Sequence, residues 1–175
     1  MIEINKISKS FDNHKIIEDI SATFDKGKTN LIIGQSGSGK TVLMKCLLGL
    51  HEVDNGDILY DGKKFNKDEI SEVSDLRKQM GMVFQGSALF DSMNIEENVM
   101  FPLKMFKEMP FDEMQDRVNL VLKRVELLNS NKKMPSEASG GMQKRVAIAR
   151  AIVNNPSYLF CDEPNSGLDP KTAIV

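Results

Sequence analysis

The sequence predicts an α/β fold with an antiparallel β subdomain at its N-terminus and an inserted helical subdomain further on. Three observations predict it. Short β-type runs open the chain, apolar strand-like runs alternate with helical ones, and a long central stretch changes to a spacing of three and four. The opening runs are Ile2-Glu3-Ile4, Lys15-Ile16-Ile17 and Ser21-Ala22-Thr23-Phe24, broken by Asp12-Asn13-His14, which reads as a small sheet of hairpins. Gly56-Asp57-Ile58-Leu59-Tyr60-Asp61-Gly62 repeats the idea, because Asp-Gly supplies the positive φ angles that a tight hairpin turn needs.

Between these hairpin regions, Thr29-Asn30-Leu31-Ile32-Ile33 reads as a strand and Thr41 to Leu50 as a mostly buried helix. Met80-Gly81-Met82-Val83-Phe84-Gln85 reads as a buried strand ending on a polar residue, and Tyr158-Leu159-Phe160-Cys161 as another buried strand. From 92 to 155 the texture is helical. Phe111 to Leu128 places Met114, Val118, Val121, Leu122 and Val125 on one face, and Gly140 to Val153 sets Lys144, Arg145 and Arg150 beside Val146, Ile148 and Ile152. The expected organisation over 1–175 is therefore a core with its β subdomain (1–91), a helical subdomain (92–155) and a returning core segment (156–175).

Composition narrows the function classes. With 175 residues the chain buries a sizeable core, and its 23 basic against 25 acidic residues give no electrostatic footprint for nucleic acid or for an anionic membrane. No apolar run approaches the roughly 18 residues of a membrane span, and the first residues lack a signal core, which points to the cytoplasm. Cys46 and Cys161 sit in apolar runs without spaced His or Cys partners, so both read as buried small hydrophobes. The eleven methionines read as core filler apart from Met142.

The chemistry lies in five segments. Gly34-Gln35-Ser36-Gly37-Ser38-Gly39-Lys40-Thr41 is a phosphate cradle: its glycines turn backbone N–H groups toward an anion, Lys40 adds a point charge, and Thr41 offers a hydroxyl to Mg²⁺. Asp162 closes a strand where a carboxylate would share that Mg²⁺, and Glu163 would orient and polarise the water that attacks a terminal phosphate. Ser139-Gly140-Gly141 opens a helix with free N–H groups and a positive dipole end, suited to a phosphate. Gln85 and Ser166-Gly167-Leu168-Asp169 complete the series, and the ligand they name is ATP with Mg²⁺.

Taken together, these segments resemble the ATP-binding subunit of ABC transporters, whose fold is a three-layer P-loop NTPase core, and the resemblance covers the whole chain. It implies that Gly34 to Thr41 is the Walker A motif, Gln85 the Q-loop residue and a further magnesium contact, and Ser139 to Met142 the signature. It also implies that Asp162 is the magnesium ligand, Glu163 the catalytic base and Ser166 to Asp169 the D-loop. Phe11 stands where the family stacks an aromatic on adenine, with a core phenylalanine as the alternative reading.

The resemblance further implies a head-to-tail homodimer, with Ser139 of one subunit on the γ-phosphate held by the other's Lys40. It implies a membrane permease contacted through the segment after Gln85, and a position on the cytoplasmic face of the inner membrane. Met142 replaces the usual glutamine and cannot donate a hydrogen bond. With Phe84 to Asp91 and Asn98 to Leu103 it makes the chain similar to ATPases of MCE-type phospholipid transporters, which work with an MCE-type substrate-binding protein. The alternatives are an ABC ATPase for another cargo such as amino acids, a soluble ABC protein of repair or translation, and a nucleotide-binding module without turnover. The last arises because the family's switch His lies some thirty residues beyond the catalytic Glu, whereas the sequence stops at Val175, which reads as a fragment of a longer protein.

Overall fold

The computed structural model describes residues 1–65 and 70–164. It divides into two compact units, Met1–Asp75 and the chain from Leu76 onward. The α/β class with an antiparallel N-terminal sheet is observed.

In the first unit, strands β1 (Ile2–Phe11) and β2 (His14–Phe24) form one long hairpin. Asp12 and Asn13 both take positive φ, 48° and 64°, the backbone of a two-residue hairpin turn whose twist matches the strands. β3 (Asn55–Tyr60) pairs with β1 and turns through Asp61 and Gly62 into β4 (Lys63–Lys64), giving the order β2-β1-β3-β4. Alternation puts Ile2, Ile4, Ile58 and Tyr60 on the buried side, where Leu43, Met44, Cys46 and Leu47 of helix α1 (Lys40–Leu47) are also buried. The Tyr60 hydroxyl donates to the Leu47 carbonyl at 2.6 Å and fastens the end of that helix to the sheet.

Two expectations need correction here. Thr29 to Ile33 is not a strand: Leu31 and Ile33 are 78% and 84% exposed, and the run joins no ladder among the described residues. Local hydrogen bonding explains its start as a loop, since Asn30 accepts from the Asp25 N–H and donates to the Asp25 and Lys28 carbonyls. Helix α1 also ends three residues early. Gly49 takes φ 67°, and the N–H groups of Gly49 and Leu50 donate to the carbonyls of Cys46 and Lys45, a Schellman stop that leaves Leu50 exposed.

In the second unit, helix α2 (Ile70–Lys78) runs in from the first and leads to β5 (Met80–Val83), which pairs in parallel with β6 (Tyr158–Cys161), Val83 opposite Cys161. Helices α3 (Ile95–Phe106), α4 (Phe111–Arg124) and α5 (Gly140–Ile152) intervene. Their core joins Ile95, Val99 and Leu103 to Val118, Val121 and Leu122 and to Val146 and Ala149. The opposite side of α5 carries Ala147 and Ala151, which pack with Val83 of β5. Small residues suit that side, because a Cβ on Gly81 would lie 2.4 Å from the Ala151 carbonyl.

Helix α4 stops at Arg124 rather than Leu128: Glu126 takes φ 58° and Leu128 is exposed. Strand β6 is less buried than its composition suggests. Only Phe160 is covered, while Leu159 and Cys161, on the other side by alternation, are exposed. Cys161 is thus no core residue, whereas Cys46 is buried as expected. Met142, set apart in the sequence reading, packs against the helical core.

Candidate nucleotide site

The residues expected to handle nucleotide fall in both units, and each group has its own geometry. In the first unit, the loop from Gly34 turns through a Ser38 N–H to Gln35 carbonyl bond of 3.2 Å and enters α1 at Lys40. Gly39 is the helix N-cap with φ 89°, and a Cβ there would lie 2.9 Å from the Ile16 carbonyl of β2. No other residue fits that backbone without displacing its neighbours. The Lys40 ammonium folds across the loop and donates to the carbonyls of Gly34 and Gln35, both at 2.9 Å. Its charge is thereby held over the same turn whose N–H groups open the helix. Thr41 follows on the first turn of α1.

Phe11 ends β1 and is 39% exposed, so the core-phenylalanine alternative fails. Its ring meets His51 edge to face at 5.2 Å, and the Lys9 ammonium lies 5.3 Å from its centroid. Lys9 is fixed in turn by Asp54 at 2.7 Å. A ring with such support presents a set plane to an aromatic ligand.

In the second unit, the parallel pairing of β5 and β6 brings their C-terminal ends level. Gln85 and Glu163 follow those ends, and the Gln85 amide Nε2 donates to the Glu163 carboxylate Oε2 at 2.9 Å. Both are exposed, and Glu163 takes φ 46°, in the left-handed region rarely used by a residue with a side chain. Asp162, just before it, is buried to 8% exposure, and its N–H donates to the Val83 carbonyl. Ser139 caps α5, its hydroxyl accepting from the Met142 N–H at 3.3 Å. A Cβ on Gly140 would meet nothing within 4 Å, so that helix end is open. Ser166 to Asp169 lies outside the described residues.

Sequence reasoning missed two polar residues of α5. Gln143 donates to the Pro135 and Ala138 carbonyls, shaping the turn that leads into Ser139. Arg150 donates to the carbonyls of Ser87 and Ala88 at 2.8 and 2.7 Å. Burial pushes the Arg150 pKa down from its ordinary value. The one available signal was an arginine amid the apolar residues of an otherwise packed helix.

Residues 17–166 match the ABC transporter family. The chain belongs to that family, as an ATP-binding domain. It is 41% identical over 175 residues to a probable ribonucleotide transport ATP-binding protein, mkl, of Mycobacterium tuberculosis, covering 99% of this chain and 49% of that one. It is 43% identical over 172 residues to a methionine import ATP-binding protein, MetN, of Clostridium tetani, covering 98% and 54%. The chain thus spans about half the length of these curated relatives. An ATP-binding cassette solved as a dimer in a post-hydrolysis state, bound to ADP and Pi, superposes with a TM-score of 0.91 at 30% identity, covering 99% of this chain and 78% of that one.

Proposed function

We propose that this ABC domain binds Mg-ATP in the Gly34–Thr41 loop and hydrolyses it with Glu163 as the base, energising a membrane permease that moves phospholipid. The Gln85 to Glu163 hydrogen bond carries the hydrolytic part: it holds an exposed carboxylate at the end of a parallel strand pair, oriented by an amide. Lys40 and the loop N–H groups would bind the β- and γ-phosphates, and Phe11 would stack on adenine.

A hydroxyl from Thr41, an amide oxygen from Gln85 and a carboxylate from Asp162 are each, by donor chemistry, hard oxygens of the kind Mg²⁺ takes. Among the described residues no three His, Cys, Asp or Glu side chains gather into a metal cluster. An ion held mainly by phosphate oxygens and one carboxylate needs none. The ion would neutralise phosphate charge; orienting water and excluding competing geometry fall to Glu163 and Gln85.

The open N-terminal end of α5 at Ser139 suits the γ-phosphate held by a second copy, which makes the working unit a homodimer. No helix among the described residues is long and apolar enough to cross a membrane. On the family resemblance, coupling to transport runs through a permease at Gly86 to Leu103. Exposed Phe90 gives that segment an apolar surface, and exposed Phe84 stands just before it. The phospholipid cargo rests on the likeness of this segment and of Ser139 to Met142 to MCE-type ATPases, while the relatives' names speak of ribonucleotides and methionine. On this reading an MCE-type protein hands the lipid to the permease, and the domain sits on the cytoplasmic face of the membrane.

Affinity purification of the full-length protein from solubilised membranes tests the reading. A multi-span membrane protein in the eluate and Mg-ATP hydrolysis stimulated by phospholipid are expected. Hydrolysis indifferent to phospholipid would remove the cargo assignment, and an eluate free of any membrane protein would remove the transport role.

A further inference from the structure

We infer that Arg150 is a positioning residue that sets Gln85 against Glu163 by locking the backbone just beyond Gln85 to helix α5. This rests on the hydrolytic reading of Glu163. Ser87 and Ala88 both take positive φ, 61° and 48°, a consecutive pair in the left-handed region that residues with a Cβ rarely adopt. Their own turn supplies the Ser87 N–H to Phe84 carbonyl and Ala88 N–H to Gly86 carbonyl bonds. These leave the Ser87 and Ala88 carbonyls aimed at α5, and the Arg150 guanidinium takes one with each terminal nitrogen. A planar fork with two fixed donors suits two adjacent carbonyls in a way a single ammonium does not. The same guanidinium lies over Phe90, 5.8 Å from the ring centroid, and Phe90 meets Phe101 of α3 at a tilt of 54°.

The other side of the pair is held from the same helix. Lys144, less than two turns earlier on α5, donates to the Pro164 carbonyl directly after Glu163. One helix therefore grips the backbone that follows each member of the Gln85–Glu163 pair. Its start is the Ser139 cap, roughly 16 Å from Arg150 along the axis at about 1.5 Å per residue. A displacement of Gly86 to Phe90 would be passed by Arg150 to α5 and to the pair together, which no residue on a free loop could do.

The test is steady-state Mg-ATP hydrolysis by the full-length protein carrying Arg150→Met or Arg150→Lys, with hydrogen exchange of the Gly86 to Phe90 peptides. Arg150→Met keeps the aliphatic stem and removes both donors. It is expected to lower kcat about tenfold while KM for ATP changes less than about twofold, because misplacing a catalytic group costs turnover rather than binding. Arg150→Lys should recover part of kcat, and both variants should speed exchange at Ser87 and Ala88. A folded Arg150→Met protein with wild-type kcat overturns the inference, as does unchanged exchange in Arg150→Lys if the methionine variant fails to fold. A wild-type protein that releases no phosphate overturns the hydrolytic reading instead, which keeps the two failures distinct.

Discussion

Gly39 shows how much of the site rests on single backbone positions. Its φ of 89° and its approach to the Ile16 carbonyl serve two ends at once, turning the loop into α1 and seating it on β2. Gly39→Ala adds a Cβ at 2.9 Å from that carbonyl in a conformation that already disfavours it. Titration with Mg-ATP is expected to show affinity reduced about tenfold, equivalent to about 1.4 kcal/mol; unchanged affinity would mean the loop does not bind phosphate through this geometry. The roles proposed for Lys40 and Thr41 are read from residue type and spacing alone. Arg150 and Gln143 were not, since what they do is donate to carbonyls brought near by folding, and a carbonyl leaves no mark in a sequence.

Among the elements, α3 has the most explicit construction. Asn94 and Glu97 form a reciprocal capping box, and Asn98, fully buried, exchanges hydrogen bonds with both the N–H and the carbonyl of Phe90 while also donating to the Met93 and Asn94 carbonyls. Together with Arg150 this makes the segment after Gln85 a built surface rather than a slack loop. Glu96, also buried, holds the turn ahead of the Ser139 cap: it accepts from Asn131 at 2.9 Å and Lys132 at 3.1 Å. Burial penalises its carboxylate, but these hydrogen bonds and the Lys132 charge outweigh that and lower its pKa.

A pKa lowered by folding means stability that is present above the unfolded value and lost as pH falls through the folded one. Urea unfolding of the wild type and Glu96→Gln should therefore differ most at neutral pH and converge as pH drops below about 4, the ordinary carboxylate range. A constant difference across that range would show that the charge of Glu96 contributes nothing. At this scale the hairpins, the strand before Gln85 and the helices α4 and α5 were legible from period and turn chemistry, whereas α3 was covered only by the helical texture of its region. Thr29 to Ile33 was misread because strand composition does not supply a partner, and Asn30 bonds to Asp25 and Lys28 instead. The ends of α1 and α4 were misread because Gly49 and Glu126 take left-handed backbone where the apolar spacing runs on.

Across the whole molecule, the chain is an ABC transporter ATP-binding domain that covers about half of its curated relatives. Its motifs are shared between two units, phosphate loop in one, Gln85, Ser139, Asp162 and Glu163 in the other. Within the second unit, α5 holds the backbone after both Gln85 and Glu163, the segment after Gln85 being the one proposed to face the permease. The central claim is that Glu163 makes this domain an ATPase. Parallel Mg-ATP binding and phosphate-release assays on the full-length protein and its Glu163→Gln variant address it directly. Loss of phosphate release by about a hundredfold or more with ATP affinity retained is the predicted result. Phosphate release by Glu163→Gln at the wild-type rate would contradict it.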